Sequence, residues 1–275
     1  IDMREIYKNF FKSDEFKEIY DKEIPDSYIN RLNEKNISYE DACLFVYMKS
    51  LLMFLGNDYL IEQTIVDEAQ DYSILEYMLL KKILKRSKFT ILGDINQTIN
   101  PYYEYKSLEE LKSVFTDSVN YIELNKTYRS SPEIIEHANK ILGLNLVSAI
   151  RRNTSIPVEF RTENNLKEQL INDIKNLKKN NKSIAIITKT DTEATKIYKL
   201  LKRDLEELTL IANNSKAFSR ELVVIPSYMA KGLEYDATIV YTAKDNGFTY
   251  KERYLYYVAC TRSQHHLIIY NQKEA

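Results

Sequence analysis

Short runs of aliphatic and β-branched residues alternate along the chain with longer segments in which apolar residues recur at helical spacing. The short runs predict strands, and the longer segments predict helices. The predicted strands lie near residues 63–67, 89–92, 121–124, 157–162, 184–188, 208–212, 222–226, 237–242 and 266–270. Because strands and helices alternate, the pattern predicts an α/β fold with parallel sheets and crossover helices.

Helix boundaries are marked by capping residues. Ser38, Ser73 and Ser107 each precede an acidic residue by three positions, which is typical of a capping box. We predict one or two short helices within 1–36, and a mostly buried helix from 42 to 55 that Gly56-Asn57 ends. Further helices are predicted from Ser73 to about Arg86, from Ser107, from Pro132 to about Leu142 (closed by Gly143), and near 166–180, 191–205 and 252–261, with a loop at 145–156.

Composition narrows the class of protein. The 275 residues are 44% hydrophobic and 29% charged, with a net charge of −1, which is typical of an ordinary globular chain. Any nucleic-acid binding therefore requires a local basic patch. Only two cysteines occur, without zinc-ligand spacing, and there is no signal peptide or long apolar span, so we expect a cytoplasmic protein without a membrane partner.

The stretch from Thr64 to Asp71 combines an apolar strand with an acidic end. Asp67 and Glu68 follow the β-branched run directly. In open α/β sheets the chemistry lies beyond the carboxyl ends of strands, and adjacent carboxylates suit metal-assisted phosphate chemistry. The alternative is that the two acids only cap the next helix.

Four other stretches also lie at predicted strand or helix ends. Each has an ordinary structural explanation when taken alone, such as a turn, a surface ion pair or a helix entry. They are Gly93-Asp94-Ile95-Asn96-Gln97, Tyr128-Arg129-Ser130, Ala230-Lys231-Gly232-Leu233-Glu234-Tyr235-Asp236 and Tyr257-Val258-Ala259-Cys260-Thr261-Arg262-Ser263.

Together and in this order, the five stretches resemble the UvrD/Rep/PcrA-type superfamily 1 helicases over about residues 63–271. The amino-acid sequences of residues 225–234 and 257–262 are similar to those of the helicase IV/HelD-like branch. The resemblance implies RecA-like (P-loop NTPase type) parallel sheets flanked by helices. Residues 1–130 would form the C-terminal part of the first lobe, and residues 131–275 a complete second lobe.

The resemblance also implies roles for individual residues around ATP and Mg²⁺. Asp67 would hold the metal through water, and Glu68 would activate the attacking water. Gln97 would sense the γ-phosphate, and Arg129 and Arg262 would be arginine fingers. The nucleotide-binding residues would be Tyr128 on the adenine, Glu234 on the ribose, and Lys231 and Gly232 near the phosphates or the bound strand.

The sequence departs from the family in four places. No Gly-x-x-x-x-Gly-Lys-Ser/Thr occurs, so the phosphate loop is missing. We expect this chain to be the C-terminal portion of a longer motor, inactive without the N-terminal half of the same polypeptide; the rival is a protein naturally without the loop. Asn100 and Tyr228 replace a usual aromatic and a usual His, and about a hundred residues between Arg129 and Lys231 leave no room for the family's large insertion.

Three functions follow as alternatives. The first is an ATP-dependent helicase or translocase on single-stranded DNA. The second is a HelD-like ATP-driven factor that binds RNA polymerase and releases it from nucleic acid, which the missing insertion and the near-neutral charge favour slightly. The third is a catalytically inactive binding module, which requires the phosphate loop to be naturally absent.

Overall fold

The chain forms two compact units in a computed structural model. The structure describes residues 2–20, 24–32, 37–53, 60–99, 104–116, 119–144, 147–150, 156–212 and 221–272. The first unit comprises the described residues up to Ile95 and those from 104 to Tyr121. The second unit comprises residues 96–99 and the described residues from Ile122 onward.

The first unit contains five α-helices and a two-stranded parallel sheet among its described residues. The helices are α1 (Met3–Lys12), α2 (Asp14–Ile19), α3 (Asp26–Arg31), α4 (Tyr39–Leu52) and α5 (Ile74–Ile83). The strands are β1 (Gln63–Val66) and β2 (Lys88–Ile91), and their parallel pairing confirms the two strands predicted here. The core below the sheet contains Val66, Ala69, Tyr77, Tyr105 and Leu111.

A buried carboxylate joins the N-terminal helices. Asp41 in α4 is 3% exposed and accepts hydrogen bonds from Tyr7 of α1, Tyr28 of α3 and Ser38. Buried polar groups need such partners, so this cluster fixes the three helices together. Burial, together with the neighbouring Tyr28 and Asp41, raises the pKa of Tyr7. The described residues within 1–36 hold three short helices where one or two were expected.

The prediction of a mostly buried helix from 42 to 55 was wrong. The helix is α4, which starts earlier because Ser38 caps it through the N–H of Asp41, and Asp41 and Ser50 are its buried residues. Leu51 and Leu52 are more than half exposed, since their apolar run covers the whole circumference of the helix rather than one face. The predicted end at Gly56-Asn57 lies outside the described residues.

Two further elements of this region differ from the prediction. The capping box of Ser107 and Glu110 forms, but the helix it begins is a 3₁₀-helix, Leu108–Ser113. The strand predicted at 121–124 does not form. Ile122 and Leu124 are 69% and 89% exposed, so no second strand covers their apolar side chains. The strands found next to this segment are β3 (Lys126–Thr127) and β4 (Ser148–Ala149), which pair in parallel.

The second unit is built on a six-stranded parallel sheet. Its strand order is β5-β10-β9-β6-β8-β7, and every pairing is parallel. The strands are β5 (Glu159–Arg161), β6 (Ile184–Thr188), β7 (Thr209–Leu210), β8 (Leu222–Pro226), β9 (Tyr235–Tyr241) and β10 (Ser263–Tyr270). All six were predicted, which confirms the α/β class with a parallel sheet.

Helices cover both faces of this sheet. They are α6 (Pro132–Leu142), α7 (Leu166–Leu177), α8 (Asp191–Leu201) and α9 (Arg253–Thr261). Along β6, Ile184 and Ile186 point to the face packed by α7 and α8, whereas Ala185 and Ile187 point to the face packed by α6 and α9. This alternation follows from the two-residue period of a strand and explains why both faces need apolar residues.

Helix ends in the second unit follow the predicted chemistry. Pro132 opens α6, and Gly143 ends it in the left-handed region with φ of +65°.

No helix in the described ranges combines the length and apolar character needed to cross a membrane.

Candidate active site

The acidic end of β1 is a tight turn with strained backbone. Glu68 adopts a φ of +52°, a left-handed conformation that is uncommon for a residue with a side chain. The exposed Asp67 carboxylate accepts the Glu68 N–H at 2.8 Å, and the Glu68 carbonyl accepts the Asp71 N–H at 2.9 Å. Strain of this kind is concentrated at functional sites, so it marks the turn as a candidate.

A buried amide orients Glu68. Gln70 is 1% exposed; its Nε2 donates to Glu68 Oε2 at 2.6 Å, and its Oε1 accepts the Asp94 N–H at 3.0 Å. One side chain thus joins the ends of β1 and β2 and holds the carboxylate. Local sequence does not reveal this role of Gln70, because its second partner lies 24 residues away.

The turn at Gly93 requires a residue without a side chain. A Cβ placed there would lie 2.7 Å from Ala69 Cβ and 2.7 Å from Gln70 Oε1. The Ala69 N–H donates to the Leu92 carbonyl at 2.9 Å, which brings the two strand ends into this close approach. Gly93 therefore keeps the acidic turn and the following Asp94 in register.

One carboxylate of this turn is placed to serve as a metal ligand. Within the described residues, no group of three or more His, Cys, Asp and Glu side chains is arranged to hold a metal ion. Mg²⁺ keeps several water ligands and often takes only one or two carboxylates together with substrate phosphates. The exposed Asp67 carboxylate fits that water-mediated role.

In the second unit, Arg262 lies in the turn between α9 and β10 and is fully buried. Its Nε donates to the Val258 carbonyl at 3.0 Å and its Nη1 to the Leu233 carbonyl at 3.4 Å. Its Nη2 donates to Gln97 Oε1 at 2.8 Å, across 165 residues of sequence. Two residues predicted to sense phosphate charge are therefore in direct contact.

Unlike the buried Arg262, Arg129 is partly exposed and forms an ion pair with Glu234. Its Nη2 lies 2.8 Å from Glu234 Oε1, and the two side chains are 39% and 38% exposed. Gln264 Nε2 donates to the other carboxylate oxygen of Glu234 at 2.8 Å. The pair is accessible to solvent, so a ligand can reach both side chains.

Hydrogen bonds attach the Tyr128-Arg129-Ser130 stretch to the start of β10. Ser130 Oγ donates to the Ser263 carbonyl at 2.6 Å, and the Ser131 N–H donates to the Gln264 carbonyl at 3.0 Å. Tyr128 is 68% exposed beside them. Two motifs far apart in sequence are thus held together at the amino-terminal edge of the sheet.

The Lys231-Gly232 turn precedes β9 at that same edge. Gly232 has a φ of +76°, which a residue with a Cβ adopts only under strain. The Tyr235 N–H then donates to the Arg262 carbonyl at 3.0 Å, so the turn and Arg262 are linked by the backbone. Upstream, the Tyr228 hydroxyl contacts both Asp191 carboxylate oxygens, at 2.9 and 3.0 Å.

The predicted site residues therefore fall into two groups. In the second unit, Arg262 contacts Gln97 and Arg129 pairs with Glu234, and Tyr128, Lys231 and Gly232 lie in the neighbouring turns. Asp67 and Glu68 belong to the first unit. The carboxyl-end rule for parallel sheets describes only the acidic pair, since the arginine group lies at the amino-terminal edge of its sheet.

Comparison with known proteins yields structural similarity only. No protein-family model matches the chain, and no curated protein matches it. The C-terminal domain of a possible DNA helicase from Lactobacillus plantarum WCFS1 is 29% identical, with a TM-score of 0.44, over 52% of this chain and 86% of that one. The PRRSV helicase is 13% identical, with a TM-score of 0.44, over 76% of this chain and 35% of that one.

A third similar structure is the arterivirus nonstructural protein 10 helicase in complex with DNA. It is 15% identical, with a TM-score of 0.43, over 79% of this chain and 41% of that one. The chain thus spans less than half of the viral helicases to which it is similar. Two of these three structures are described as helicases and the other as a domain of a possible one. At TM-scores below 0.5 the similarity assigns no family to this chain.

Proposed function

We propose that this chain supplies the acidic and arginine parts of an ATP-dependent superfamily 1 DNA helicase or translocase, as its C-terminal portion with two RecA-like lobes. The observation that carries the proposal is the hydrogen bond from Arg262 to Gln97. A guanidinium and an amide from distant stretches are held together, and both groups recognise phosphate oxygens. The resemblance assigns these same two residues to γ-phosphate chemistry.

In the first unit, Glu68 is the proposed base that orients and activates the attacking water. Gln70 donates to one of its carboxylate oxygens and so holds the carboxylate at the end of β1, where a general base has to be positioned. Asp67 would hold Mg²⁺ through water. The strained backbone at Glu68 and the close packing at Gly93 support a turn with a dedicated geometry.

In the second unit, Arg129 and Arg262 are the proposed arginine fingers. The exposed Arg129 is accessible directly, whereas Arg262 would exchange its Gln97 contact for a phosphate oxygen. Tyr128 is exposed enough to stack on an adenine ring, and Glu234 next to Arg129 would bond the ribose. Lys231 and Gly232 would lie near the phosphates or the bound strand.

ATP with Mg²⁺ supplies the phosphoanhydride bond whose hydrolysis drives movement along single-stranded DNA. The residues of this chain contribute charge, orientation and water activation. The phosphate-binding loop and its lysine do not occur among these 275 residues. We therefore expect weak nucleotide binding and negligible hydrolysis by this chain alone.

The test is equilibrium binding of a fluorescent Mg-ATP analogue, followed by anisotropy. Arg129→Gln should weaken binding roughly 10-fold because it removes a charge-assisted hydrogen bond without disturbing the core. Arg262→Gln should act in the same direction. The matched control is Arg203→Gln, which removes an exposed arginine elsewhere in the second unit and should leave the affinity unchanged.

Steady-state hydrolysis with single-stranded DNA completes the test. Turnover close to background is expected for the wild type and for Glu68→Gln alike. Robust turnover that Glu68→Gln abolishes would contradict the expected inactivity of the chain alone. No binding of the analogue by the wild type would overturn the ATP-site proposal itself.

The second candidate is a HelD-like factor that releases RNA polymerase. The observation favouring it is the short stretch of sequence between Arg129 and Lys231, which the elements from α6 to β8 occupy. No unwinding insertion fits there. Capture of RNA polymerase by a longer polypeptide containing this chain, without strand-displacement activity, would favour this candidate over the helicase.

A further inference from the structure

The loop between β9 and α9, residues 242–252, lies at the carboxyl-terminal edge of the six-stranded sheet. We call it the edge loop. Glu193 at the start of α8 is 5% exposed, and its Oε1 accepts the Ala243 N–H at 2.9 Å and Asn246 Nδ2 at 3.0 Å. Gln272 Oε1, beyond β10, accepts the Phe248 N–H at 3.0 Å. Hydrogen bonds from two other parts of the second unit therefore hold the edge loop at Ala243, Asn246 and Phe248.

An ion pair fixes the end of the edge loop where α9 begins. Lys189 Nζ lies 2.8 Å from Glu252 Oε2 and donates to the Gly247 carbonyl at 3.0 Å. The Lys189 side chain is only 10% exposed, whereas the Glu252 side chain is 33% exposed, so the lysine end of the pair is the one shielded from solvent. Glu252 also closes a capping box with Thr249. The backbone that carries the next side chains is thus held rigidly.

At the end of the edge loop, Arg253 contacts the rings of Tyr250 and Tyr254. The Arg253 guanidinium carbon lies 4.6 Å from the ring centre of Tyr250 and 4.4 Å from that of Tyr254. Arg253 Nη1 also donates to the Tyr250 carbonyl at 3.2 Å. Tyr250 is nevertheless 80% exposed. A flat, exposed ring is held in place by a cation, which lowers the entropy lost when a ligand stacks on it.

The charge around the ring is positive. Lys244 and Lys251 are exposed on the edge loop, and Arg253 follows it. Of the loop's two acids, Glu252 is neutralised by Lys189, which leaves Asp245 against three cations. Aromatic rings beside cations suit single-stranded nucleic acid, because bases stack on the ring while phosphates meet the charge. The carboxyl-terminal edge is also where open parallel sheets bind ligands.

We propose that Tyr250 and Arg253 form a contact site for single-stranded nucleic acid, in which a base stacks on Tyr250 and a phosphate meets Arg253 and Lys251. The inference rests on the proposed function, since it gives the translocating strand a site opposite the arginine group. The two sites lie at opposite edges of one sheet. Binding of nucleic acid and of nucleotide can therefore be tested separately.

The experiment measures binding of the whole chain to labelled oligothymidylate and to oligouridylate of equal length by fluorescence anisotropy, without nucleotide. Tyr250→Ala should weaken binding about 5- to 100-fold, the size of one base–aromatic stack. Tyr250→Phe should bind like the wild type, because the ring and not the hydroxyl makes the contact. Arg253→Gln should weaken binding and reduce the salt dependence by roughly one phosphate contact.

Two variants serve as matched controls. Tyr39→Ala removes a tyrosine that is 67% exposed in the first unit, and Arg203→Gln removes an exposed arginine of the second unit. Both should leave the affinity unchanged. Because Tyr250 is largely exposed, its replacement should not change the thermal unfolding midpoint, which circular dichroism checks.

The outcomes separate the two proposals. A Tyr250-dependent affinity for either strand supports the contact site, and the ratio of the two affinities identifies DNA or RNA as the better ligand. Equal affinities of Tyr250→Ala and the wild type overturn it, as does a Tyr250→Phe variant that binds as weakly as Tyr250→Ala. If the wild type binds the Mg-ATP analogue but neither oligonucleotide, the contact site fails while the proposed ATP site stands.

Discussion

The two-stranded sheet of β1 and β2 in the first unit and the six-stranded sheet of the second unit are built from similar sequence and differ in burial. All residues of β6 and of β8 are buried, whereas β1 is exposed at Gln63 and Ile65, and β2 alternates exposed with half-buried residues. Ile65 in β1 is 66% exposed, and Ile186 in β6 is 0% exposed. Both lie in short β-branched runs, so hydrophobic patterning identified a strand in each case without revealing how many layers cover it.

The difference teaches where the stability of each unit comes from. A parallel strand covered on both faces contributes apolar burial from every residue. A strand covered on one face contributes it from every second residue, as Val66 does in β1. The second unit is therefore held mainly by its core. The first unit depends more on specific contacts, such as those of Asp41 and Gln70.

The largest expected effect tests this comparison directly. Ile186→Ala should lower the free energy of unfolding by about 2–5 kcal/mol, because it leaves a cavity between the sheet, α7 and α8. Ile65→Ala should cost about 0.5 kcal/mol or less, since most of that side chain is in water. Urea unfolding followed by far-UV circular dichroism measures both. Similar losses for the two variants would refute the difference in burial.

The next effect compares a buried with an exposed arginine. Arg262→Gln should destabilise the second unit by about 1–3 kcal/mol, because it leaves the carbonyls of Val258 and Leu233 without their donor. Arg129→Gln should cost about 0–1 kcal/mol, since its ion pair with Glu234 is more than a third exposed and screened. The same urea experiment applies, and a larger loss for Arg129→Gln would contradict it.

Much of the fold follows from local sequence, because its signals are local. Capping residues Ser73 and Glu76 act within one turn, and the predicted α5 starts where they place it. The six strands of the second unit were also predicted from short apolar runs. The segment 121–124 has the same propensity but gains no partner, and strand formation requires a partner. Propensity alone could not distinguish these cases.

The candidate site was predictable only as a set of residues. Its motifs identified Glu68, Gln97 and Arg262 by resemblance, but not the contacts among them. The bond between Arg262 and Gln97 spans 165 residues, and no periodicity encodes such a pairing. Gln70 was missed for the same reason. Its partners become visible only when β1 and β2 are aligned.

Glycines provide a smaller test, with one position in each unit. Gly93→Ala should cost about 1–3 kcal/mol, because the new Cβ would lie 2.9 Å from the Ala69 backbone nitrogen, which cannot move away freely. Gly232→Ala meets no atom within 4 Å and should cost about 1 kcal/mol, from its φ of +76° alone. Thermal unfolding of both variants measures this order. The reverse order would show that backbone conformation outweighs packing at these turns.

The smallest expected effect is a pH dependence confined to the second unit, which holds all three histidines. Burial, and then the neighbouring His265, lower the pKa of His266, whose ring contacts Asn181 Oδ1 at 3.0 Å. The pKa of His266 in the folded state lies below the ordinary value of about 6.5. Between these two pKa values, the unfolded state therefore binds more protons than the folded state. The contribution of His266 is therefore present above the ordinary value and is lost as the pH falls through it.

Urea unfolding at about pH 7 and about pH 5.5 measures this loss, and His266→Gln should reduce it, because the amide does not titrate. Hydrogen exchange, corrected for the intrinsic pH dependence, assigns the change to one unit. Protection should fall in β9 and β10 and stay constant in α5, since the first unit lacks a histidine. An equal fall in α5 would mean that the two units unfold together, and the contrast between their sheets would then describe burial without describing separate stability.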